Sequence, residues 1–218
     1  MMNVREVNAS CLEFLLGEMV NVVSSTRGSS DGDATDASKT LEGIGFTVGH
    51  KLMERLCQGT GKLRFEEKPS SLEYCKDLEI VKFICKDFWY FVWKRQVEAL
   101  KTSNSTIPRV RYILIDTAFV WLKRFSSYSF AETKQLAEKY LCFSAGIIRG
   151  AFSNQGIRAK VEVSIIQPEL DKTNNKPQTG PSKALGCTFK VSVVPLESGI
   201  PCSSSDIVNN KLINMDLN

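Results

Sequence analysis

Residues 78–93 read Leu-Glu-Ile-Val-Lys-Phe-Ile-Cys-Lys-Asp-Phe-Trp-Tyr-Phe-Val-Trp, the most unusual helical pattern in the chain. Glu79, Lys82, Lys86 and Lys94 mark one narrow polar stripe, and nearly every other position is apolar. A helix that is apolar around most of its circumference is buried on several sides. We therefore predict a helix over residues 77–100 that lies at the centre of a domain or is shared between its core and a partner.

Another apolar helix is predicted near the N-terminus, where Leu and Val recur at three- and four-residue steps. Ser10 and Glu13 have the spacing of a capping box, in which each side chain satisfies a free amide of the first turn. Residues 24–38 are rich in Ser, Gly, Asp and Thr, a composition that buries little and predicts a flexible loop.

A second helix is predicted over residues 35–58, with one apolar face at helical spacing. Gly45 and Gly49 lie next to that face, and a glycine inside a helix costs roughly 1 kcal/mol relative to alanine. Their presence indicates the close approach of another backbone. Ser70 and Glu73 again have capping-box spacing and open the third helix.

The second half of the chain predicts a sheet. Residues 110–114 and 119–123 form a predicted hairpin around Asp116, followed by a helix over residues 131–154 that Gly156 caps. Residues 159–165 and 188–193 alternate between polar and apolar positions, which is typical of antiparallel strands with one face open to solvent.

The predicted fold is therefore α+β, with helices packed on one face of a four-stranded antiparallel sheet. We expect a single domain over residues 1–195 with flexible loops at 24–38 and 169–184. The tail, residues 196–218, is rich in Ser and Asn and is expected to be poorly ordered.

Charge and cysteine usage exclude several classes of protein. The net charge is +4, from 28 basic and 24 acidic residues of mixed distribution, whereas a nucleic-acid binder concentrates its cations on one stripe. The pairs Lys94–Arg95 and Lys123–Arg124 are expected to be solvated rims of amphipathic elements or, alternatively, to attract an anionic membrane weakly. The seven cysteines form no CxxC pair, and His50 is the sole histidine, so no metal site is expected. The apolar stretch of residues 11–23 lacks the features of a secretory signal, which predicts a reduced, cytosolic protein.

No constellation of catalytic residues is recognisable, and we expect neither an enzyme nor a cofactor. Gly43, Gly45 and Gly49 lack the spacing and the preceding strand of a dinucleotide loop. A Ser/His or Cys/His hydrolase would depend on His50 alone. Cys85 and Cys142 lie inside apolar helices, where buried inert thiols are expected, and attachment of an acyl chain is the alternative.

The apolar and aromatic surface of the helices exceeds what one small core can hide, which points to a protein partner.

Several segments resemble a known family. The stretch from Leu78 to Trp89, continued by residues 94–102, resembles the signature helix of the subunit-6 branch of the small subunits of the transport protein particle (TRAPP). Residues 41–49 resemble the second helix of that branch, and residues 140–150 with Gly156 resemble its fourth helix and exit turn. The chain departs from the family in residues 24–36, 169–182, the tail and the hairpin around Asp116.

The resemblance implies the TRAPP small-subunit fold and heterodimerisation through the first two helices with the central, lipid-bound sister subunit. On this basis the residues predicted to face the partner are Leu15, Met19, Val22, Leu41, Ile44, Gly45, Val48, Leu52 and Leu56. It also implies membership of a vesicle-tethering complex that acts as guanine nucleotide exchange factor for a Rab GTPase in ER-to-Golgi and Golgi traffic. The exchange chemistry in that family belongs to other subunits, and the complex is cytoplasmic and peripheral to these membranes. The alternative function is an acyl-chain-binding module, although Phe83, Phe88 and Phe143 are suited to filling a lipid cavity rather than lining it.

Overall fold

The computed structural model describes residues 8–25, 31–60, 73–104, 110–123, 130–166, 185–193 and 215–216. Five α-helices, a π-helical turn, a 3-10 turn and five strands make up these segments. In chain order they are α1 (Ala9–Ser25), α2 (Asp31–Thr60), α3 (Glu73–Phe83), the π-helical turn (Ile84–Phe88), α4 (Trp89–Trp93), β1 (Ala99–Asn104), β2 (Val110–Asp116), the 3-10 turn (Val120–Leu122), α5 (Phe130–Asn154), β3 (Ala159–Ile166), β4 (Gly186–Val193) and β5 (Met215–Asp216).

The strands form one antiparallel sheet in the order β3-β4-β2-β1-β5. Its four long strands carry the alternation seen in the sequence. On β4, Phe189 and Val191 are buried while Lys190 between them is exposed. The predicted α+β class with helices on one face of a four-stranded antiparallel sheet is confirmed, and the two-residue strand β5 extends the sheet beyond β1.

Aromatic side chains fill the space between the helices and the inner face of the sheet. Trp89 is fully buried and contacts the rings of Trp93 and Phe189, with centroids 4.3 Å and 5.5 Å away. Phe119 lies against the same cluster, 5.7 Å from the ring of Phe189. The signature stretch is thus the centre of the core, as its all-round apolar pattern predicts.

The prediction of one helix over residues 77–100 was too long. The helix passes through the π-helical turn and ends at Trp93, where Lys94 adopts a left-handed conformation with φ 58°. Val97 and Leu100 are buried beyond this point, in the segment that enters strand β1. Their spacing suits a helix and a strand equally, because a short apolar run does not distinguish the two.

The hairpin was also assigned wrongly. Its strands are β1 and β2, whereas residues 119–123 contain the 3-10 turn in place of a second strand. The reason is packing: Phe119 and Leu122 both point into the core, which a strand with alternating faces does not permit.

The first two helices differ from prediction at their starts. Asn8 caps α1, because its side-chain oxygen accepts a hydrogen bond from the amide of Ser10, whereas Ser10 was the predicted cap. Helix α2 begins at Asp31, so residues 31–38 are helical where a loop was predicted. Ala37 is buried, and a hydrogen bond between the side chains of Ser38 and Cys142 joins this part of α2 to α5. Tertiary packing therefore overrides the loop-forming composition.

Gly156 has φ +79° after the end of α5, as expected of a left-handed helix cap. In the tail, Met215 and Asp216 pair with β1, whereas poor order was expected there. The capping pair Ser70 and Glu73 and the predicted loop at 169–184 involve residues outside the described segments.

Candidate partner interface

Helices α2 and α5 are packed with their backbones in direct contact. A Cβ atom added to Gly49 would lie 2.6 Å from the Cα of Ile147 and still closer to the carbonyl oxygen of that residue. A Cβ added to Gly45 would meet the carbonyl of Phe143 and, at 3.1 Å, the amide nitrogen of Ile147. The expected close approach of another backbone at Gly45 and Gly49 is therefore found, and the neighbour is α5.

The contact is reciprocal. A Cβ on Gly146 would lie 2.8 Å from the amide nitrogen of Phe46, and one on Gly150 would lie 2.7 Å from that of His50. Both glycines of α5 thus face α2. Helix α5 is a middle layer, with the sheet on one side and α2 on the other.

This packing decides which of the predicted partner residues are exposed. Leu41, Gly45 and Leu56 are buried inside the chain's own fold, so their assignment to a partner surface was wrong. Apolar periodicity shows that a helix face is covered, and it does not show by what. Met19 and Leu52 are half-buried and pack against the core.

The four remaining residues lie at the surface of α1 and α2. Leu15 is 64% exposed and Val22 is 51% exposed on α1, while Ile44 and Val48 are 37% and 36% exposed on α2. Helices α1 and α2 contact one another. We call these four residues, together with Leu12 and the half-buried Met19, the outer apolar face. Leu12, at 43% exposure, was not among the predicted partner residues, although it continues the helical spacing of Leu15, Met19 and Val22.

Phe14 is 73% exposed on α1 and was also missed. Its position does not fit the apolar spacing of the helix, so no periodic signal in the sequence marks it. An aromatic ring this exposed is unusual on a free surface and adds to the apolar area of α1.

An ion pair also joins α2 to α5. The Arg149 guanidinium lies 2.9 Å from the Glu42 carboxylate and 4.7 Å from the centre of the Phe46 ring. The ion pair and the cation–π contact add to the glycine packing between α2 and α5.

A polar cluster fixes the turn after β2. The Asp116 side chain is buried, lies 3.2 Å from an Arg95 guanidinium nitrogen and accepts a hydrogen bond from the Ala118 amide. The Glu98 carboxylate accepts hydrogen bonds from the amide and the hydroxyl of Thr117. Burial raises the pKa of Asp116, and the Arg95 guanidinium opposes that change. The cluster joins the end of α4 to the sheet.

The raised pKa of Asp116 predicts a pH dependence of stability. Because the folded state binds the proton more tightly than the unfolded state, stability falls as pH rises from the ordinary value of 3.8 through the raised pKa. An Asp116→Asn variant lacks this titration, so its unfolding free energy relative to wild type should rise over the same interval. Urea unfolding at a series of pH values measures this difference. A difference that falls with pH would mean that the Arg95 pairing dominates instead.

Four of the described cysteines have a thiol whose pKa is raised, and Cys11 is exposed. Cys85 and Cys187 are buried, and burial raises the pKa of each thiol. Burial also raises the pKa values of Cys57 and Cys142 less strongly, whereas Cys11 is exposed. Raised pKa values make thiolate chemistry unfavourable at the buried positions.

Within the described segments, no three His, Cys, Asp or Glu side chains are grouped as metal ligands would be. None of the helices seen there has both the length and the apolar character required to cross a bilayer.

The sequence model for the family described as "Transport protein particle (TRAPP) component" matches residues 12–193. The chain belongs to the TRAPP family. Trafficking protein particle complex subunit 6b of Danio rerio is 35% identical to this TRAPP chain over 156 residues, which cover 71% of the chain and 88% of the relative. Subunit 6B of Homo sapiens is 38% identical over 125 residues, covering 57% and 68%. These relatives place the TRAPP chain in the subunit-6 branch, as its segments predicted.

A solved structure has the same fold. It is a trafficking protein particle complex subunit 3 from Naegleria fowleri, covalently bound to palmitic acid, with a TM-score of 0.53. The match covers 86% of this TRAPP chain and 96% of that protein at 16% sequence identity. At that identity the likeness supports the fold and says nothing of a ligand in this chain.

Proposed function

We propose that this chain is a non-catalytic structural subunit of the TRAPP vesicle-tethering complex. It acts by forming a heterodimer with a sister small subunit through the outer apolar face. The observation that carries the proposal is the exposure of Leu15, Val22, Ile44 and Val48 on two adjoining helices of a chain that belongs to this family. Exposed apolar residues concentrated in this way mark a protein interaction site.

The size of the surface suits a stable complex. Two helices that pack against two helices of a partner bury roughly 1,500–2,500 Å² in total, the range of stable to obligate interfaces. Leu15 and Val22 on α1 occupy one stripe with Leu12 and Met19 because steps of three and four residues lie on one side of a helix. Such a stripe is the pattern by which one helix packs against another.

In this proposal the chain serves a complex that promotes nucleotide exchange on a Rab GTPase during ER-to-Golgi and Golgi traffic. Exchange belongs to other subunits, and this subunit holds its neighbours in place. Its location, cytoplasmic and peripheral to these membranes, then follows from the complex. The lone His50 and the raised thiol pKa values are consistent with a structural role.

Light scattering on size-exclusion fractions tests the pairing directly. The chain is purified alone and co-expressed with a sister small TRAPP subunit. We expect a one-to-one heterodimer on co-expression and poor solution behaviour or self-association of the chain alone. A well-behaved monomer that does not associate with the sister subunit would overturn the proposal.

Acyl-chain binding is the alternative, and the interior does not favour it. Phe88 is fully buried and Phe143 nearly so, and Trp121 stacks on Phe143 with ring centroids 5.9 Å apart. These rings are part of the packed interior, as expected of side chains that fill a cavity. The intact mass of the purified protein decides between the two, because a covalently attached palmitoyl group adds a discrete mass.

A further inference from the structure

The outer face of the sheet, which points away from the helices, carries a cluster of cations drawn from four strands. The strand register places Arg111 opposite Ser192 and Ser192 opposite Lys160, in one row across the sheet. The next row runs Lys101–Ile113–Lys190–Glu162. We call Lys101, Arg111, Lys160 and Lys190 the basic sheet face.

These residues point outward because their strand neighbours point inward. Tyr112, Val191 and Leu100 are buried, and side chains alternate along a strand. Arg111, Lys160 and Lys190 are accordingly exposed, and Lys101 is partly so. The two rows are about 7 Å apart and neighbouring strands are about 5 Å apart, so the four cations lie close together.

One carboxylate accompanies the four cations in these two rows. Glu162 lies 2.7 Å from the ammonium group of Lys160. The hydrogen bond and charge of Lys160 lower the pKa of Glu162, and the charges of Lys190 and Arg111 lower it further. The face thus holds one carboxylate already and retains an excess of three positive charges.

The basic sheet face is independent of the outer apolar face. Helix α5 lies between α2 and the sheet, so a partner on α1 and α2 leaves the outside of the sheet uncovered. Ile113 is half-buried and lies between Lys101 and Lys190 in the strand register, and Ser192 lies beside Arg111 in the neighbouring row.

We propose that the basic sheet face binds an acidic segment of a partner protein, whose carboxylates pair with Arg111 and Lys190 at the centre of the face. Charge complementarity defines this partner, since the face presents four cations against one carboxylate, and Glu162 is already paired with Lys160. Cations, the Ser192 hydroxyl and an aliphatic residue at fixed spacing form the mixed surface that is typical of protein interfaces. An anionic bilayer surface requires no such spacing.

The binding of a fluorescent peptide of ten consecutive glutamates to the full-length chain tests this proposal. We expect binding that weakens with salt. The double variant Arg111→Glu, Lys190→Glu should bind about tenfold or more weakly, because like charges then face each other. Lys86→Glu with Lys139→Glu is the control with the same change of net charge, since both lysines are exposed on helices. Equal loss in the two double variants would show attraction to net charge alone and overturn the proposal.

Glu162→Gln provides a test that misfolding cannot imitate. The variant removes the carboxylate that forms an ion pair with Lys160. The affinity for the peptide should therefore increase severalfold. An unchanged affinity would contradict the assigned site. Vesicles of phosphatidylserine and phosphatidylcholine are tested in parallel. Binding to these vesicles without binding to the peptide would assign the face to a membrane surface and also overturn the proposal.

None of these readouts depends on the sister subunit. The basic sheet face can therefore fail its test while the heterodimer forms, and it can pass while the heterodimer does not. A heterodimer that still binds the peptide would show in addition that the two faces are used at the same time.

Discussion

Replacing Gly49 with alanine should lower the unfolding free energy by about 3 kcal/mol, at the upper end of the usual cost of overpacking. A Cβ at this position would lie 2.6 Å from the Cα of Ile147, whereas carbon atoms in contact are about 3.5–4.0 Å apart. The neighbour is backbone, so it cannot rotate away and the two helices must separate. In a chain of this length, thermal unfolding should shift downward by roughly 6–12 °C.

Gly43 offers a matched control in the same helix. It is exposed, and a Cβ added there would meet no atom within 4 Å. Gly43→Ala should therefore show only the helix propensity of alanine and raise stability by up to about 1 kcal/mol. Thermal unfolding followed by circular dichroism measures both variants. If the unfolding temperatures of Gly49→Ala and Gly43→Ala shift in the same direction, α2 and α5 are not packed backbone to backbone.

Much of the fold follows from local pattern, because the pattern itself has a physical cause. The alternation on β3 and β4, the helix ending near Gly156 and the central position of Phe88, Trp89 and Trp93 in the core were all predictable. The left-handed turn at Lys94 was not, because glycine normally marks such a position and here a lysine occupies it. Because no glycine marks the end of the helix, the apolar residues Val97 and Leu100 caused the helix to be predicted too far, into β1.

The candidate interface shows a different limit. Leu41 and Ile44 belong to one apolar helix pattern, yet Leu41 is buried against the chain's own core and Ile44 is exposed. The sequence pattern does not distinguish the two residues, because buried and exposed apolar residues of α2 follow one another at helical spacing. Only the placement of α5 against Gly45 and Gly49 separates them.

The basic sheet face lay beyond sequence reasoning for a related reason. Lys101 and Lys190 are distant along the chain, and each looks like an ordinary solvated charge in its own strand. They come into one row because both pair across Ile113. Mixed charge along the sequence is therefore compatible with a surface region that has an excess of positive charge.

Replacing Val48 with aspartate should abolish pairing with the sister subunit while leaving the chain folded. Val48 is 36% exposed in the isolated chain, so a carboxylate there remains in contact with water. Burying it unpaired in an interface costs roughly 3–5 kcal/mol. That penalty weakens affinity by between about a hundredfold and several thousandfold. Co-purification of a tagged sister subunit measures the loss, and circular dichroism of the variant checks its fold.

Tyr90→Asp is the matched control, because Tyr90 is 57% exposed and lies on α4, outside the outer apolar face. This variant adds the same charge in place of an exposed apolar side chain and should still co-purify with the sister subunit. Loss in both variants would indicate a general effect of charge. Retention in both would mean that the partner binds elsewhere, because a buried carboxylate cannot be tolerated at the centre of an apolar contact. Loss in Val48→Asp alone locates the heterodimer on α1 and α2.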